Sequence, residues 1–232
     1  MRLGQSIYRQ ELSGLRTFAV ITAITYNFNK EIIPSGYLGV DIFAVISGYA
    51  ITCSLAGRQK KSFLEFISSF YSRSLKRLLP ALVVFVFISS TLICIVNPNP
   101  VETLHTGIAS LFGVSNLYLI RISSDYFSSA AELNPFTQLW SLSMTEQYYF
   151  FYPFIVCITG FSRLTKNSIK NLSYTLLLLS ITSIFIFLYL HNVDKVSAYY
   201  FMPARFWELA LGGIACISFE TKNTLFISNF LI

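Results

Sequence analysis

Ionisable side chains interrupt several apolar stretches of this sequence. The stretch 14–52 contains Arg16 and Asp41, and later apolar stretches contain Glu146, Arg205 and Glu208. A charge inside a bilayer is unfavourable by several kcal/mol, so residues of this kind usually mark a substrate site or a proton path. Two readings stay open. In the first, the charges form one functional site. In the second, Arg205 and Glu208 form an ion pair that only holds helices together, and Arg16 extends to the lipid headgroups on the cytoplasmic side.

The composition is that of a membrane protein. Of the 232 residues, 54% are hydrophobic and 12% are charged, whereas soluble domains carry about 25% charged residues. The net charge of +6 comes mainly from short loops, which indicates membrane orientation rather than nucleic-acid binding. Cys53, Cys94, Cys157 and Cys216 each lie alone in an apolar stretch, so we predict buried thiols and no metal site.

Apolar stretches of spanning length predict an all-α fold, a polytopic bundle of transmembrane helices. We place the helices at residues 13–29, 37–57, 78–96, 137–160, 172–191 and 198–218. Pro80 is predicted to begin the third helix, while Pro153 and Pro203 are predicted to kink later ones. Five glycines are predicted to mark close helix packing: Gly36, Gly39, Gly48, Gly212 and Gly213.

The stretch 104–120 is a seventh candidate segment. It is short and is broken by Gly107, Gly113, Ser115 and Asn116. A broken segment is tolerated at membrane depth only where protein or water satisfies its backbone. We therefore predict that 104–120 is re-entrant or interfacial and does not cross the membrane.

The loop 58–77 defines the orientation. It contains six Lys or Arg residues and one Glu, so the positive-inside rule places it and the N-terminus in the cytoplasm. Arg16 and Asn27 are eleven residues apart, about 16 Å along a helix axis, which puts Arg16 in the inner leaflet. The outer leaflet then receives Asn27, Asp41, Gln138, Glu146, Arg205 and Glu208.

One polar track is therefore predicted to run from the cytoplasm to the outer surface. This arrangement suits a catalyst that takes a donor on one side and an acceptor on the other. Aromatic residues beside it, Trp140 among them, either line an acyl or sugar groove or anchor the helices at the interface.

Five blocks in order resemble the acyltransferase family 3 of integral-membrane O-acyltransferases. The blocks are GLRTFAV, GYLGVDIFAVISGYAIT, FYSRSLKRLLPAL, LNPFTQLWSLSMTEQYYFFYPF and YFMPARFWELALGG. The resemblance covers Tyr8 to about Gly213 and implies a helical enzyme, usually of about ten spans, that moves an acyl group, often acetyl, from acyl-CoA to a hydroxyl of a sugar or lipid-linked acceptor. With six to seven of those segments, the chain is expected to be a single C-terminally truncated domain, 1–232, without a soluble esterase-like domain.

The resemblance also implies roles for particular residues. Arg16 matches the arginine of the family's first helix. Arg73, Lys76 and Arg77 match its basic cytoplasmic motif, and their cationic side chains would meet the phosphates of CoA. The alternative for this basic cluster is that it only sets topology.

Both histidines of the family pattern are replaced. Asn27 stands in place of the first and Gln138 in place of the second, and Glu146 is what remains of a Glu–Glu pair. An amide can hydrogen-bond a hydroxyl but cannot accept its proton. General-base catalysis typically contributes about 10²- to 10⁴-fold, so we expect weak activity unless Asp41 or Glu146 acts as the base.

The sequence therefore predicts a diverged membrane O-acyltransferase that uses acyl-CoA as a substrate and has no bound cofactor. The predicted catalytic residues are Asn27, Asp41, Gln138 and Glu146. The predicted donor- and acceptor-binding residues are Arg16, Arg73, Lys76, Arg77, Trp140, Arg205 and Glu208. The alternatives are a non-catalytic membrane protein that binds or transports a solute along the same polar track, and an unstable fragment.

Overall fold

The computed structural model describes residues 10–56, 63–122, 134–161 and 165–230. These residues form α-helices and one 3₁₀ turn, and no strand lies among them, so the all-α prediction is confirmed. The helices are α1 (Gln10–Phe28), α2 (Leu38–Leu55), α3 (Phe63–Val96), α4 (Val101–Leu111), α5 (Ser115–Ile122), α6 (Trp140–Ile158), α7 (Lys166–Val193), α8 (Lys195–Tyr200) and α9 (Met202–Phe230), and the 3₁₀ turn Thr137–Leu139 precedes α6.

Three of the described helices, α2, α3 and α7, are long and apolar enough to cross a membrane. Large apolar side chains on α3 and α7 face outward, among them Phe87, Ile95 and Phe185. Water would disfavour this much exposed apolar surface, whereas lipid favours it. That α1, α6 and α9 also span stays a prediction, as does the cytoplasmic side. Residues 1–9 and 57–62 of the predicted cytoplasmic segments lie outside the described residues.

Helix α3 begins at Phe63, fifteen residues before the predicted start at 78. Pro80 therefore lies inside the helix, and the prediction that it begins the helix is wrong. The first half of α3 mixes basic and aromatic residues, with Phe66 and Phe70 buried. This pattern forms an amphipathic helix, which a search for continuous apolar stretches does not detect.

The predicted helix 198–218 is divided at Phe201, whose backbone is extended (φ −79°, ψ 119°). Pro203 is the second residue of α9, where the missing N–H would have had no intrahelical partner. The kink predicted at Pro203 is therefore replaced by a helix start. Pro153 does lie inside its helix, α6.

The predicted break in 104–120 is confirmed. Helix α4 ends at Leu111 and α5 begins at Ser115. Gly113 lies between them with φ +66°, a left-handed conformation that side chains with a Cβ disfavour. Whether this segment is re-entrant stays a prediction.

The chain divides into two compact units. Unit 1 comprises Met1–Gln59, Phe154–Ile184 and Phe206–Ile232, and unit 2 comprises Lys60–Pro153 and Phe185–Arg205.

In unit 1, small residues let helices approach closely. A Cβ at Gly48 would collide with the backbone of Leu209, and one at Gly212 would collide with the carbonyl oxygen of Val45. Glycine at both positions thus lets α2 and α9 pack backbone to backbone, which confirms the packing role predicted for these two residues.

The same α2–α9 contact corrects the cysteine prediction. Cys53 and Cys216 form a disulfide, with Cα atoms 5.9 Å apart. Cys94 is exposed rather than buried, and Cys157 is partly buried. The paired cysteines are 163 residues apart in sequence, and only the packing of α2 on α9 brings them together.

In unit 2, apolar residues of α3 form a cluster around Phe136. Leu82 and Val86 are buried against it, and the Phe85 ring meets the Phe136 ring edge-on at 6.2 Å. Asn134 fixes the approach to this cluster, since its Oδ1 accepts the Phe136 N–H and its Nδ2 donates to Thr106 Oγ1. The chain therefore enters the 3₁₀ turn and α6 from a fixed position.

We predict that Gly48→Ala destabilises the protein by about 1–3 kcal/mol, because the added methyl group must displace the backbone of α9. The control is Gly14→Ala in α1, where a Cβ meets no atom of the described residues within 4 Å and where alanine favours the helix by up to about 1 kcal/mol. Thermal unfolding of detergent-purified protein measures both. Equal midpoints for the two variants would contradict the predicted packing.

Candidate functional site in unit 2

Arg205 lies against two neighbouring aromatic rings in unit 2. Its guanidinium carbon is 5.1 Å from the ring centroid of Trp140 and 5.3 Å from that of Tyr199. Arg205 is 6% exposed and Trp140 is 2% exposed. A cation–π contact is worth about 2 kcal/mol when it is desolvated. Trp140, predicted to bind substrate, therefore contacts Arg205 directly.

Helix α8 places Tyr199 in this arrangement. Asp194 caps the helix, with its carboxylate accepting hydrogen bonds from the Val196 N–H at 3.0 Å and from Ser197 Oγ at 2.5 Å. The bond from Ser197 holds the pKa of Asp194 below its ordinary value, so the cap is ionised at neutral pH. The Tyr199 ring at the end of α8 lies 4.8 Å from the Trp140 ring.

Residues of α6 bind the turn between α4 and α5. Gln147 Nε2 donates to the carbonyl oxygen of Gly113 at 2.9 Å. The hydroxyls of Ser115 and Ser143 hydrogen-bond at 2.8 Å, and both residues are buried. Since 143 and 147 are one helical turn apart, one face of α6 binds both the turn at Gly113 and the first residue of α5.

Asn116 connects this face to the end of α8. It is fully buried, its Oδ1 accepts from Gln147 Nε2 at 2.8 Å, and its Nδ2 donates to the carbonyl oxygen of Tyr200 at 3.1 Å. A buried amide that lost such partners would be unfavourable by about 1–3 kcal/mol. The amide network formed by Asn116 and Gln147 therefore fixes α5, α6 and α8 together.

Glu146 lies between the two α6 residues that hold the turn. Its side chain is partly buried. A Cβ at position 113 would lie 2.6 Å from Glu146 Oε2 and 3.6 Å from Glu146 Cβ. The carboxylate of Glu146 thus occupies the space beside Gly113 that any larger residue would fill.

Four of the predicted site residues lie in unit 1, and three of them are on α1 and α2. Arg16 is partly buried in α1, and its Nε has no hydrogen-bond partner among the described residues. Asn27 is exposed, with Nδ2 donating to the carbonyl oxygen of Ala23 at 2.8 Å. Asp41 is partly buried in the first turn of α2.

Two further predicted residues differ in burial. Gln138 is exposed in the 3₁₀ turn before α6, whereas Glu208 in α9 is 3% exposed. Glu208 belongs to unit 1, and Gln138 belongs to unit 2 together with Glu146 and Arg205. The convergence of all six outer-leaflet residues on one cavity stays a prediction.

The basic cluster of Arg73, Lys76 and Arg77 is exposed on α3. Arg73 and Arg77 follow Phe66 and Phe70 at helical spacing, so they share a face with two buried aromatic residues. Phe70 packs against the Tyr149 ring of α6. The two exposed arginines therefore continue the packed face of α3 beyond its buried part.

Within the described ranges, no group of three or more His, Cys, Asp or Glu side chains is arranged to hold a metal ion.

The hydrogen-bond network around Glu146 was not predicted from the sequence. Ser115 and Asn116 were interpreted only as residues that interrupt an apolar stretch, and Ser143 and Gln147 were not considered. The available signal was four polar residues on two short segments, with Gln147 next to the predicted site residue Glu146.

The chain is similar to proteins of known family. The profile of a family described as "Acyltransferase domain" matches residues 10–231. O-acetyltransferase OatA of Staphylococcus aureus (strain NCTC 8325 / PS 47) is 34% identical over 210 residues, which are 89% of this chain and 34% of the relative. OatA of strain COL has the same identity and coverage. The chain thus spans about a third of the length of these relatives. No solved structure matches it at a significant level.

We predict that Asn116→Ala destabilises the protein by about 1–3 kcal/mol, since the carbonyl of Tyr200 and the amide of Gln147 lose a buried partner. Asn192→Ala is the matched control, because the Asn192 amide is exposed and binds a carbonyl of its own helix. Thermal unfolding in detergent measures the difference. A loss no larger than that of the control would contradict the role given to the amide network.

Proposed function

The chain belongs to the acyltransferase 3 family, and from this membership we propose that it is a membrane enzyme that transfers an acyl group to a hydroxyl oxygen. The observation that carries the proposal is the family match over residues 10–231, together with relatives named O-acetyltransferase. Acetyl is the acyl group that these names favour. Acyl-CoA is the proposed donor, and a sugar or lipid-linked hydroxyl compound is the proposed acceptor.

In the proposed reaction the acceptor oxygen attacks the thioester carbonyl. A C–O bond forms, the C–S bond breaks, and the proton of the hydroxyl passes through a base to the departing thiolate. Glu146 is the residue we assign as this base. Its support is geometric, since the carboxylate is partly buried next to the backbone of Gly113 and is flanked by the hydrogen-bonded Ser143 and Gln147.

The amides at Asn27 and Gln138 have a different proposed part. Each can donate to or accept from an acceptor hydroxyl without taking its proton. Both side chains are exposed. We assign them to acceptor positioning, with Asp41 as a second carboxylate.

The basic cluster on α3 is the proposed contact for the donor. Arginine guanidiniums match phosphate oxygens with two parallel N–H bonds, and lysine adds a point charge. Arg73 and Arg77 extend the packed face of α3, so they are held on one side rather than spread around the helix. Arg16 is assigned to the same donor side, which the charge of loop 58–77 puts in the cytoplasm.

Arg205 is the proposed electrostatic group on the acceptor side, and Glu208 is assigned there as well. The rings of Trp140 and Tyr199 contact the guanidinium and restrict its movement. A guanidinium held in this way has its N–H groups pre-oriented for an oxygen that gains negative charge in the transition state.

A non-catalytic binding or transport role is the second candidate. It is favoured by the amides that replace both histidines of the family pattern. This role requires saturable binding of acyl-CoA, or solute flux in liposomes, without release of free CoA.

We expect purified protein to release CoA from acetyl-CoA when oligosaccharides with free hydroxyls are present. Glu146→Gln should lower kcat by about 10²- to 10⁴-fold, since the amide cannot accept a proton. Glu102→Gln on α4, an exposed carboxylate, is the control and should leave the rate unchanged. Binding of acetyl-CoA without any release of CoA would favour the second candidate.

We expect Arg73→Gln and Arg77→Gln each to raise the KM for acetyl-CoA by on the order of tenfold, because each removes a charge-assisted hydrogen bond. Arg121→Gln, an exposed arginine of α5 outside the cluster, serves as the control. The KM for the acceptor should not change in any of the three. An unchanged KM for acetyl-CoA in both cluster variants would contradict donor binding and would mean that the cluster only sets membrane topology.

A further inference from the structure

We propose that the turn between α4 and α5, residues 112–114, is a positioning element for the carboxylate of Glu146. The effect of the turn on catalysis rests on the proposed function. The positioning of the carboxylate is argued from hydrogen bonds and one close contact within unit 2.

The close approach is at Gly113. Its backbone lies next to Glu146 Oε2, and a Cβ at this position would be 2.6 Å from that oxygen. Real Cβ contacts are longer than this, so the carboxylate at the end of the Glu146 side chain would have to move. Gly113 therefore leaves open the space in which the Glu146 carboxylate lies.

The turn is hydrogen-bonded to α6 at that contact and directly after it. Gln147 Nε2 donates to the carbonyl of Gly113 itself, and the backbone N–H and hydroxyl of Ser115 meet Ser143 Oγ at 3.4 Å and 2.8 Å. These partners lie three residues before and one residue after Glu146 on α6. A shift of the turn would therefore break at least one buried hydrogen bond.

The amide network then connects the turn to the aromatic pair around Arg205. Asn116 binds Gln147 and the carbonyl of Tyr200, and the Tyr200 ring meets the Trp140 ring edge-on at 5.4 Å. The carboxylate of Glu146 and the guanidinium of Arg205 are thus supported through one set of contacts. Gly113, Asn116, Ser143 and Gln147 are positioning residues in this proposal.

The chain provides a matched control for Gly113. Gly160 has nearly the same backbone conformation, with φ +68° against +66°. A Cβ at Gly160 would meet only Ser168 Cβ at 3.8 Å among the described residues. Alanine at either position carries the same left-handed strain, and only alanine at 113 also meets a carboxylate.

The first experiment is a stability cycle on the detergent-purified full chain. Gly113→Ala and Gly160→Ala are each made with Glu146 present and in a Glu146→Ala background, and thermal midpoints are recorded. With Glu146 present, Gly113→Ala should lower the midpoint by a few degrees more than Gly160→Ala does. In the Glu146→Ala background this excess should vanish. An excess that persists there overturns the proposed contact.

The second experiment measures turnover at equal amounts of folded protein. Gly113→Ala should lower kcat for acetyl transfer by on the order of 10- to 100-fold, as expected for a displaced catalytic group, and should leave the KM for acetyl-CoA within about twofold. Gly160→Ala should keep kcat within twofold of the parent. Glu146→Asp withdraws the carboxylate by one methylene, so adding Gly113→Ala to it should cause little further loss.

Additive losses in that double variant, or an equal loss from Gly160→Ala, overturn the catalytic part of the proposal. If the parent chain transfers no acetyl group, the proposed function fails by itself. The stability cycle then still decides whether the turn holds Glu146.

Discussion

The arrangement of unit 2 depends on a requirement that applies to any amide deep in an apolar environment, namely that it must find hydrogen-bond partners. Lipid tails are as apolar as leucine, so apolar packing alone does not select how helices align in a membrane. Asn116 is fully buried, and it is satisfied only where α5, α6 and the end of α8 meet in one register. The amide network therefore gives unit 2 a specificity that its exposed apolar surface cannot provide.

The helices could largely be predicted from the sequence because their signal is local. Apolar stretches of spanning length indicated all-α structure, and Gly113 indicated the break between α4 and α5. The errors also have local causes. Helix α3 starts early because Phe66 and Phe70 belong to an amphipathic turn, and the predicted helix 198–218 is divided at Phe201 because Pro203 lacks the N–H that a continuous helix needs. The Cys53–Cys216 pair required knowledge of packing across 163 residues.

The candidate site could be predicted only residue by residue. Burial in an apolar stretch identified Glu146 and Arg205, because ionic groups there are unfavourable unless they have a use. Their surroundings could not be predicted, since the partners of Asn116 lie 31 and 84 residues away. Ser115 and Asn116 look like interruptions of a helix in the sequence, but in the folded protein they are hydrogen-bond partners of α6. The cation–π contact of Trp140 with Arg205 could not be predicted either, because these two residues are also far apart in sequence.

The close approach of Gly48 to Leu209 has a consequence for biosynthesis. The two residues are 161 positions apart, and ribosomes add about 5–20 residues each second. Helix α2 must therefore wait roughly ten to thirty seconds after it emerges before its glycine face can meet α9. During that interval the face of α2 around Gly48 lacks its neighbour α9. A helix of another protein, or a chaperone of the insertion machinery, can contact this face in the meantime. Slower translation would therefore lower the yield of correctly packed protein.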